Sequence, residues 1–412
     1  MNFIEPKYGT GDSIADSVRA DAALDAAIRA SRILIVDDQK MVRELLKIYL
    51  TSGGYENLLF AADGDEALEK IANDDPDLVV LDLQMPRMSG LEVCRTLRAD
   101  PKHELLPVLV QTAADSAEDR KEIFNAGATD MVGKPINDAE LRARVGIHLQ
   151  NRHMLGQLSK YRESMERDLQ MARNMQHQIM PGPRAISALH DSYDIEIKSH
   201  FQTCDELGGD MWNVWPIDRS RIGFSVIDFT GHGVVASLNT FRFQSLASTM
   251  VFEPENQVQY CETINRKLHQ MLPSGQFATA IGGYIDLSND VMRYTSAAGP
   301  KPFIVSPDYP DGAFLKSAGR PLGMTADSTY EEYEEAFPPG SSLFLYSDAL
   351  TETPDMINPV YDEDRMQAAL TGRIDAQRHP FDVILTDFLD HTMAEPLNDD
   401  LTMIMLSRPG KS

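Results

Sequence analysis

The sequence predicts two domains of different fold class: a doubly wound α/β domain with a five-stranded parallel sheet, followed by an α+β domain with antiparallel sheets. Three observations support this prediction. The chain has 412 residues, which is too long for one ordinary hydrophobic core. From Arg32, short apolar runs alternate with segments of helical period. From Tyr193, strand-like runs follow one another with few helices between them.

Five apolar runs of strand length define the first domain, and segments with helical periodicity separate them. This order predicts a parallel sheet covered by helices on both faces. We place the domain at residues 31–150, after an extension over residues 1–30 that begins polar and becomes rich in Ala and Asp. The five runs are RILIV, NLLFA, DLVVLDL, LPVLVQT and DMVGKP.

Residues 151–189 are predicted to be a helical linker. Residues 141–180 contain no proline, and Pro181 and Pro183 are expected to end the helix. Apolar and small residues recur at alternating steps of three and four, which is typical of a coiled-coil seam. The stripe either forms a homodimer interface or packs on a neighbouring domain, and its two long polar residues would set the register of a dimer. The seam comprises Leu155, Leu158, Arg162, Met165, Leu169, Ala172, Gln176 and Ile179.

The second domain is placed at residues 190–408, where antiparallel sheets with helices packed outside them are predicted. Helices are expected at 233–250, 258–271 and roughly 381–393. The acidic run Tyr330–Glu335 is either a docking surface or a solvated strand or loop. The strand-like runs are YDIEIKSHF, IGFSVIDF, FATAIGGYIDL, VMRYTSAA, FIVS, SLFLYSD and LTMIML.

The composition restricts the classes of partner and compartment. A formal net charge of −25 argues against a nucleic acid or an anionic membrane as the partner. Cys94, Cys204 and Cys261 have neither paired nor zinc-binding spacing, which is typical of reduced thiols. No run approaches the ~20 apolar residues that span a bilayer, and the N-terminus has no signal-peptide core. We therefore expect a cytoplasmic protein.

Polar side chains stand at the ends of four of the five runs in the first domain. Asp37 and Asp38 follow RILIV, and Asp82 follows DLVVL. Thr112 ends LPVLVQT, and Lys134 ends DMVGK. Ligands of a parallel α/β sheet bind at the carboxyl ends of its strands, where three carboxylates would hold Mg²⁺ and one would attack phosphorus. Lys134 would then pair with the phosphoryl group, and Thr112 would donate a hydrogen bond to it.

Over residues 31–150 the chain resembles the bacterial response regulator receiver domain. The strings that carry the resemblance are ILIVDD, VVLDLQMPRMSG, LVQTA and GKP. It implies that Asp82 is the phosphoacceptor and that Asp37 and Asp38 bind Mg²⁺ together with Asp82. The carbonyl of Gln84 would complete the metal shell.

The same resemblance implies a cis bond between Lys134 and Pro135. It also implies a sensor histidine kinase or a phosphotransfer protein as the phosphate donor. Met131 stands where these domains usually carry a switch aromatic, which leaves open how phosphorylation reaches the output face.

A second set of acidic residues stands at strand ends in the later domain. Asp210 ends Gly-Gly-Asp, Asp228 ends IGFSVID, Asp348 ends SLFLYSD, and Asp399 precedes LTMIML. Such carboxylates can converge between two sheets and hold two divalent ions, which lower the pKa of a water that attacks phosphorus. No serine or cysteine has a plausible base beside it, so direct attack by water is favoured. The residue types also leave ordinary turns as an interpretation.

Residues 190–408 resemble the metal-dependent serine/threonine phosphatases of the protein phosphatase 2C type. The resemblance is to the branch that contains sporulation protein E and regulators of general-stress sigma factors. It implies a β-sandwich flanked by helices, and DLQMARNMQHQIMP resembles the helix that precedes the catalytic domain of that family. The strings that occur in the expected order are GGD, VIDFTGHG, FATAIGGYIDL, SAAG, RPLGM, LYSD and NDDLTMIML.

This second resemblance implies a role for each acid. Asp228 would bridge two Mn²⁺ or Mg²⁺ ions, with the Phe229 carbonyl as a further ligand. Asp348 and Asp399 would complete the shell of one ion. Asp210 would help to hold the metals and orient the reacting water, so Asp210 and Asp228 are the predicted catalytic residues.

Three residues depart from the family pattern. Asn213, Pro300 and Ala349 stand where an acid, a histidine and a glycine are usual. Ala349 would be strained if its backbone needs a positive φ. His232 is either a proton donor to the leaving group or a loop residue, because its offset from Asp228 differs from that in the animal enzymes.

Together the two domains predict a response regulator whose output is a protein phosphatase. Phosphorylation of Asp82 would shift the population of receiver states, and the helical linker would reorient the catalytic domain. By resemblance, the substrate is a phosphoserine or phosphothreonine on an anti-sigma-factor antagonist in a partner-switching stress pathway. The alternative is a catalytically weak or dead adaptor that binds a regulatory protein under receiver control. The presence of all the acids predicted to hold metal favours the enzyme.

Overall fold

The structure is a computed structural model that describes residues 22–113, 116–353, 361–372, 375, 377–392 and 397–410. The chain divides into two compact units, Met1–Ser164 and Met165–Ser412. Residues 22–29 of the predicted N-terminal extension are helical, and the part before them lies outside the described residues. Within the described part of the chain, no helix is both long enough and apolar enough to span a membrane.

The first unit contains a five-stranded parallel sheet in the order β2-β1-β3-β4-β5, which confirms the predicted doubly wound α/β class. The strands are β1 (Ile33–Val36), β2 (Leu58–Ala61), β3 (Leu78–Asp82), β4 (Val108–Thr112) and β5 (Asp130–Gly133). The helices of this unit are α1 (Lys40–Ser52), α2 (Gly64–Asp74), α3 (Gly90–Ala99) and α4 (Ala117–Asn125), and α5 (Asp138–Ile179) begins in it.

The alternation of side chains along a strand gives this sheet two buried faces. Leu34 and Val36 pack in one apolar cluster, and Ile33 and Ile35 pack in another on the opposite face. Polar caps fix where the helices begin. For example, α3 begins after Ser89, whose side chain and backbone form a capping box with Glu92.

The predicted proline-free helix is present as α5, which ends at Ile179 just before the Pro-Gly-Pro sequence. Leu155, Leu158 and Met165 of the predicted seam are exposed. Gln176 is not, because only 1% of it is accessible and both ends of its side-chain amide bond to Gly208. The expectation that Gln176 sets the register of a dimer is therefore wrong. It binds a loop of its own chain.

The second unit contains two antiparallel five-stranded sheets, in the orders β13-β10-β9-β8-β7 and β12-β11-β14-β15-β6. The strands are β6 (Glu196–Gln202), β7 (Asp210–Pro216), β8 (Arg221–Phe229), β9 (Ala278–Asp286), β10 (Val291–Ala297), β11 (Phe303–Ser306), β12 (Tyr309–Phe314), β13 (Glu332–Ala336), β14 (Ser342–Tyr346) and β15 (Leu401–Ser407). The helices are α6 (Pro183–Tyr193), α7 (Gly233–Ser248), α8 (Gln257–Met271), α9 (Ala349–Glu352), α10 (Glu363–Leu370) and α11 (Pro380–His391).

The two sheets share one apolar core, as the predicted β-sandwich requires. Along β15, Ile404 and Leu406 enter this shared core, whereas Met403 and Met405 pack with α10 and α11 on the outer face. Helices α7 and α8 lie against the outer face of the other sheet.

Part of the acidic run forms the edge strand β13. Glu332 and Glu334 of this strand are exposed. Exposed charged side chains are common on edge strands. This arrangement agrees with the solvated-strand interpretation of the run.

Candidate functional site

Three carboxylates of the first unit meet at the carboxyl edge of its sheet. The ligand oxygens of Asp37, Asp38 and Asp82 all lie within 4.8 Å of one another. Asp37 and Asp82 are buried, and Asp38 is exposed. Lys134, which follows β5, places its Nζ 2.8 Å from Asp82 Oδ1. The neighbouring strand ends therefore bring the predicted acids and the predicted lysine to one place.

The electrostatics of this edge suit a cation. Burial raises the pKa of Asp37, and the charges of Asp82 and Asp38 add to this effect. Asp37 Oδ2 is buried and has no hydrogen-bond partner among the described residues. An unpaired buried carboxylate oxygen beside two further acids fits Mg²⁺, which takes oxygen ligands.

A cavity of about 420 Å³ opens beside Asp82, and Gln84, Thr112 and Lys134 line it. This space is where a phosphoryl group on Asp82 would lie. The bond between Lys134 and Pro135 is cis, as the resemblance implied. Met131, at the position of the usual switch aromatic, is half-buried in β5.

In the second unit, each sheet contributes acids to one cleft. Asp210 begins β7 and stands directly opposite Asp228 of the paired strand β8. Asp348 follows β14 and precedes α9, and Asp399 precedes β15, the strand that pairs with β14. The sandwich thus places all four predicted acids at strand ends on the same side of the domain.

The pKa values in this cleft show how closely the acids interact. Burial raises the pKa of Asp228 to about 8, and the charges of Asp348 and Asp399 contribute to the shift. Burial also raises the pKa of Asp348 to about 6, with help from Glu352 and Asp399. Asp210 has a pKa well above its usual range because it is buried beside Asp228. Loss of a proton from these acids is therefore unfavourable unless a cation compensates the charge that results.

The donor set fits divalent cations. Asp210 Oδ2 is buried without a hydrogen-bond partner in the described part of the chain. Within the residues that the structure describes, neither Asp228 nor Asp348 belongs to a group of three acidic, histidine or cysteine side chains whose ligand atoms all lie within 4.8 Å of one another. A two-ion site, in which the ions lie about 3.5–4 Å apart, spreads its carboxylates over more than one coordination sphere. Two ions therefore stay the prediction for this cleft.

A loop formed by residues 203–209 positions Asp210. Asp400 accepts hydrogen bonds from the backbone N–H groups of Cys204, at 2.9 Å, and of Gly209. Gly209 must be a glycine, because a Cβ there would lie 2.7 Å from the carbonyl oxygen of Phe229, the predicted backbone ligand. Asp400 therefore supports the loop, while the charge of its neighbour Asp399 acts on Asp228 and Asp348.

The helix α5 holds the same loop from the other side. Gln176 Nε2 donates to the carbonyl of Gly208 at 2.7 Å, and the N–H of Gly208 donates to Gln176 Oε1 at 3.2 Å. Arg173 Nε donates to the carbonyl of Glu206 at 2.8 Å. Sequence reasoning missed these supporting roles, although a glutamine within an apolar stripe was a signal that it needed a polar partner.

His232 lies at the rim of the cleft, at the start of α7. Its side chain is 62% exposed and pairs through Nδ1 with the carboxylate of Asp205. This hydrogen bond raises the pKa of His232 and so favours the protonated ring. Cys204 lies close to both side chains. Sequence reasoning did not identify Asp205 as the partner of His232.

Two of the departures from the family pattern lie where they do not disturb the acids. Asn213 is three residues after Asp210 in β7, so it lies on the opposite face of the sheet. Ala349 begins the short helix α9 and does not have a positive φ, so no strain arises there.

Two protein families match the chain. Residues 33–146 match the response regulator receiver domain, and residues 218–409 match stage II sporulation protein E. The response regulator MprA of Mycolicibacterium vanbaalenii is 51% identical over 114 residues, which cover 28% of this chain and 48% of that protein. The chain thus spans about half the length of the curated relatives that it matches.

Solved structures resemble part of the chain. The SiaA-PP2C domain of Pseudomonas aeruginosa aligns with 60% of this chain and 98% of its own, with a TM-score of 0.51 and 17% identity. At that identity the likeness shows the fold alone. The phosphatase domain of SpoIIE from Bacillus subtilis, with a fragment of its regulatory domain, aligns with 52% of this chain and 64% of its own. Its TM-score is 0.44 at 18% identity.

Proposed function

We propose that this protein is a metal-dependent protein serine/threonine phosphatase that is controlled by phosphorylation of Asp82. Its chain joins a response regulator receiver domain to a phosphatase domain of the SpoIIE family. The observation that carries the proposal is the second cleft. There Asp210, Asp228, Asp348 and Asp399 come from separate strand ends, and burial together with neighbouring negative charges raises the pKa of Asp210, Asp228 and Asp348. A structural cluster of turns would not bury its carboxylates without cationic side chains beside them.

In the proposed reaction each side chain of the cleft has a separate role. Two Mn²⁺ or Mg²⁺ ions, when bound, supply the Lewis acidity that activates water for attack on phosphorus. Asp228 would hold both ions, and Asp348 and Asp399 would hold one of them. Asp210 Oδ2 orients the reacting water. His232, protonated through its pairing with Asp205, donates a proton to the departing serine or threonine oxygen.

The receiver supplies the control. A sensor histidine kinase or a phosphotransfer protein donates a phosphoryl group to Asp82, with Mg²⁺ held by Asp37 and Asp38. Lys134 pairs with the new charge, and Thr112 donates a hydrogen bond to it. The new charge shifts the population of receiver states, and α5 connects the receiver to the loop that positions Asp210.

By resemblance, the substrate is a phosphoserine or phosphothreonine on an anti-sigma-factor antagonist, in a partner-switching stress pathway. The match to stage II sporulation protein E supports this class. With a net charge of −25, the protein does not attract an acidic phosphoprotein through a broad field. Recognition therefore depends on local shape around the cleft.

Phosphate release from a phosphoserine protein tests the proposal. Wild type and Asp228→Ala are compared with Mn²⁺, each with and without acetyl phosphate. We expect release that needs Mn²⁺, falls by at least about 100-fold in Asp228→Ala, and changes with acetyl phosphate in wild type but not in Asp82→Asn. Asp327→Ala removes an exposed aspartate of the same domain and serves as the matched control.

The adaptor alternative makes a different prediction. It requires a folded protein that accepts phosphate at Asp82 and binds a partner protein, yet releases no phosphate under any of these conditions. That result would overturn the phosphatase proposal and leave the receiver proposal standing.

A further inference from the structure

A second cavity of about 420 Å³ lies on the outer face of the sheet that carries Asp210 and Asp228, beneath α7 and α8. Small side chains form its floor. In the central cross-strand row, Ser225 pairs with Asn213 on one side and with Gly282 on the other. Because Ser225 and Gly282 fill little volume, the helices above them do not close against the sheet. The volume falls within the range of about 300–1,000 Å³ that is typical of small-molecule sites.

A buried amide faces this space. Gln257 begins α8, lines the cavity and is 2% exposed. Neither its Nε2 nor its Oε1 has a hydrogen-bond partner among the described residues. A buried primary amide that is unpaired at both ends is unfavourable. The N–H donor and the carbonyl acceptor of this amide are adjacent, so a single partner can bind both only if it has an acceptor beside a donor.

Aromatic rings form one wall. Phe252 packs edge to face on Trp215, with ring centroids 5.7 Å apart, and on Tyr260, with centroids 5.1 Å apart. Among the described residues that line the cavity, none carries a charge. Val251 in the same segment is 82% exposed, so the cavity reaches solvent there. A flat, uncharged ring system matches this wall better than an aliphatic or an ionic molecule does.

We infer that this cavity binds a small, uncharged, planar aromatic molecule with an amide, lactam or imide edge. The ring stacks in the aromatic wall, and the edge pairs with both ends of the Gln257 amide. No residue of this site belongs to the acidic cleft.

The position of the cavity links it to catalysis. Met211 and Ile227 line the cavity. Met211 follows Asp210 in β7, and Ile227 precedes Asp228 in β8. Because adjacent side chains of a strand point to opposite faces of the sheet, the two aspartates point away from the cavity. A molecule that presses on these two side chains therefore changes the spacing of Asp210 and Asp228. This part of the inference rests on the proposed phosphatase function, whereas the binding site itself does not.

Two matched probes test the site on the full-length protein. 2-Naphthamide has a ring and an amide edge, and 2-acetylnaphthalene has the same ring and a carbonyl but no N–H donor. Titration calorimetry and ligand-observed NMR should give a dissociation constant for 2-naphthamide about tenfold lower than that for the ketone. Gln257→Leu should abolish this preference. It should also raise the Tm of the ligand-free protein, because an unpaired buried amide is replaced by a hydrocarbon.

Filling the cavity supplies the second test. A Cβ at Gly282 would lie 3.6 Å from its nearest neighbours, an ordinary contact distance, so Gly282→Leu should fold and should lose binding of both probes. The inference is wrong if 2-naphthamide does not bind wild type, or if both variants bind it as tightly as wild type does. Gln257→Leu still tests the site if Gly282→Leu does not fold. Because binding is measured without turnover, its outcome is independent of the phosphatase proposal.

Discussion

At Asp228 the fold keeps a carboxyl group in surroundings that favour its protonated form. Burial raises its pKa to about 8, and the charges of Asp348 and Asp399 add to the shift. In the unfolded chain the same group has a pKa of about 4. The metal-free folded protein therefore binds a proton at Asp228 more tightly than the unfolded chain does. A divalent cation that binds the carboxylate must compete with this proton.

This competition predicts how Mn²⁺ stabilises the protein as pH changes. A raised folded pKa contributes stability that is fully present below about pH 4 and is lost as pH rises towards 8. Over the same range the carboxylate becomes free to bind metal. Mn²⁺ should therefore raise Tm more at pH 8.5 than at pH 6.5, as measured by thermal denaturation.

The control for this prediction is Asp228→Asn, which has no proton to lose. In this variant the Mn²⁺-induced rise in Tm should be small and nearly independent of pH. A rise in wild type that is equal at both pH values would contradict the proposed competition.

At the scale of elements, the loop over residues 203–209 is held between a strand end and a helix. Asp400 binds it from the start of β15, and Gln176 binds it from the last turns of α5. The loop leads directly into Asp210. Any movement of the end of α5 relative to the sandwich therefore acts on a predicted catalytic aspartate.

Gln176→Leu should lower kcat for phosphate release with little change in the KM for the phosphoprotein. The substitution removes two hydrogen bonds to Gly208, each worth about 0.5–1.5 kcal/mol, so we expect a loss of roughly tenfold. Gln178→Leu is the matched control, because Gln178 lies two residues further along α5 and is exposed. Equal losses in the two variants would refute a specific role for Gln176.

The exposed stripe of α5 makes a separate prediction about assembly. Leu155 is 52% exposed and Leu158 is 64% exposed, which is unfavourable for large apolar side chains on a helix unless a partner covers them. We expect wild type to be a homodimer by sedimentation velocity, and the double variant Leu155→Glu, Leu158→Glu to be a monomer. Lys160→Ala, an exposed polar change on the same helix, should leave the dimer intact. A wild-type monomer at micromolar concentration would disprove the interface.

At the scale of the whole molecule, each unit has its own apolar core. Leu46 lies in a cluster of the first unit, and Phe388 lies in a cluster of the second, both with no accessible surface. Domains with separate cores can unfold as separate cooperative units.

Calorimetry should therefore resolve two transitions, each sensitive to one core. Leu46→Ala should destabilise only the receiver transition by about 2–5 kcal/mol, and Phe388→Ala should destabilise only the phosphatase transition by about 3–5 kcal/mol. Mn²⁺ added to Asp82→Asn should shift chiefly the phosphatase transition. A single transition that both core variants lower equally would show that the units unfold together.

Local patterns were enough to predict both fold classes and most of the helices and strands. The apolar runs that became β1, β3, β8 and β15 are readable because the alternation of side chains depends only on neighbouring residues. The acids at the strand ends were found for the same reason. Strand β7 was missed because DMWNVWP lacks clean alternation and becomes a strand only through pairing with β8.

Contacts between distant parts of the chain decided the rest of the site. Asp400 and Cys204 are 196 residues apart in sequence, so no local pattern could distinguish the supporting role of Asp400 from the metal-binding role predicted for Asp399. The burial of Gln176 and the open space above Gly282 depend likewise on which elements pack together. Local sequence therefore specified the types of residue and the ends of the strands. Tertiary packing specified their partners, because register and burial are set only when remote segments meet.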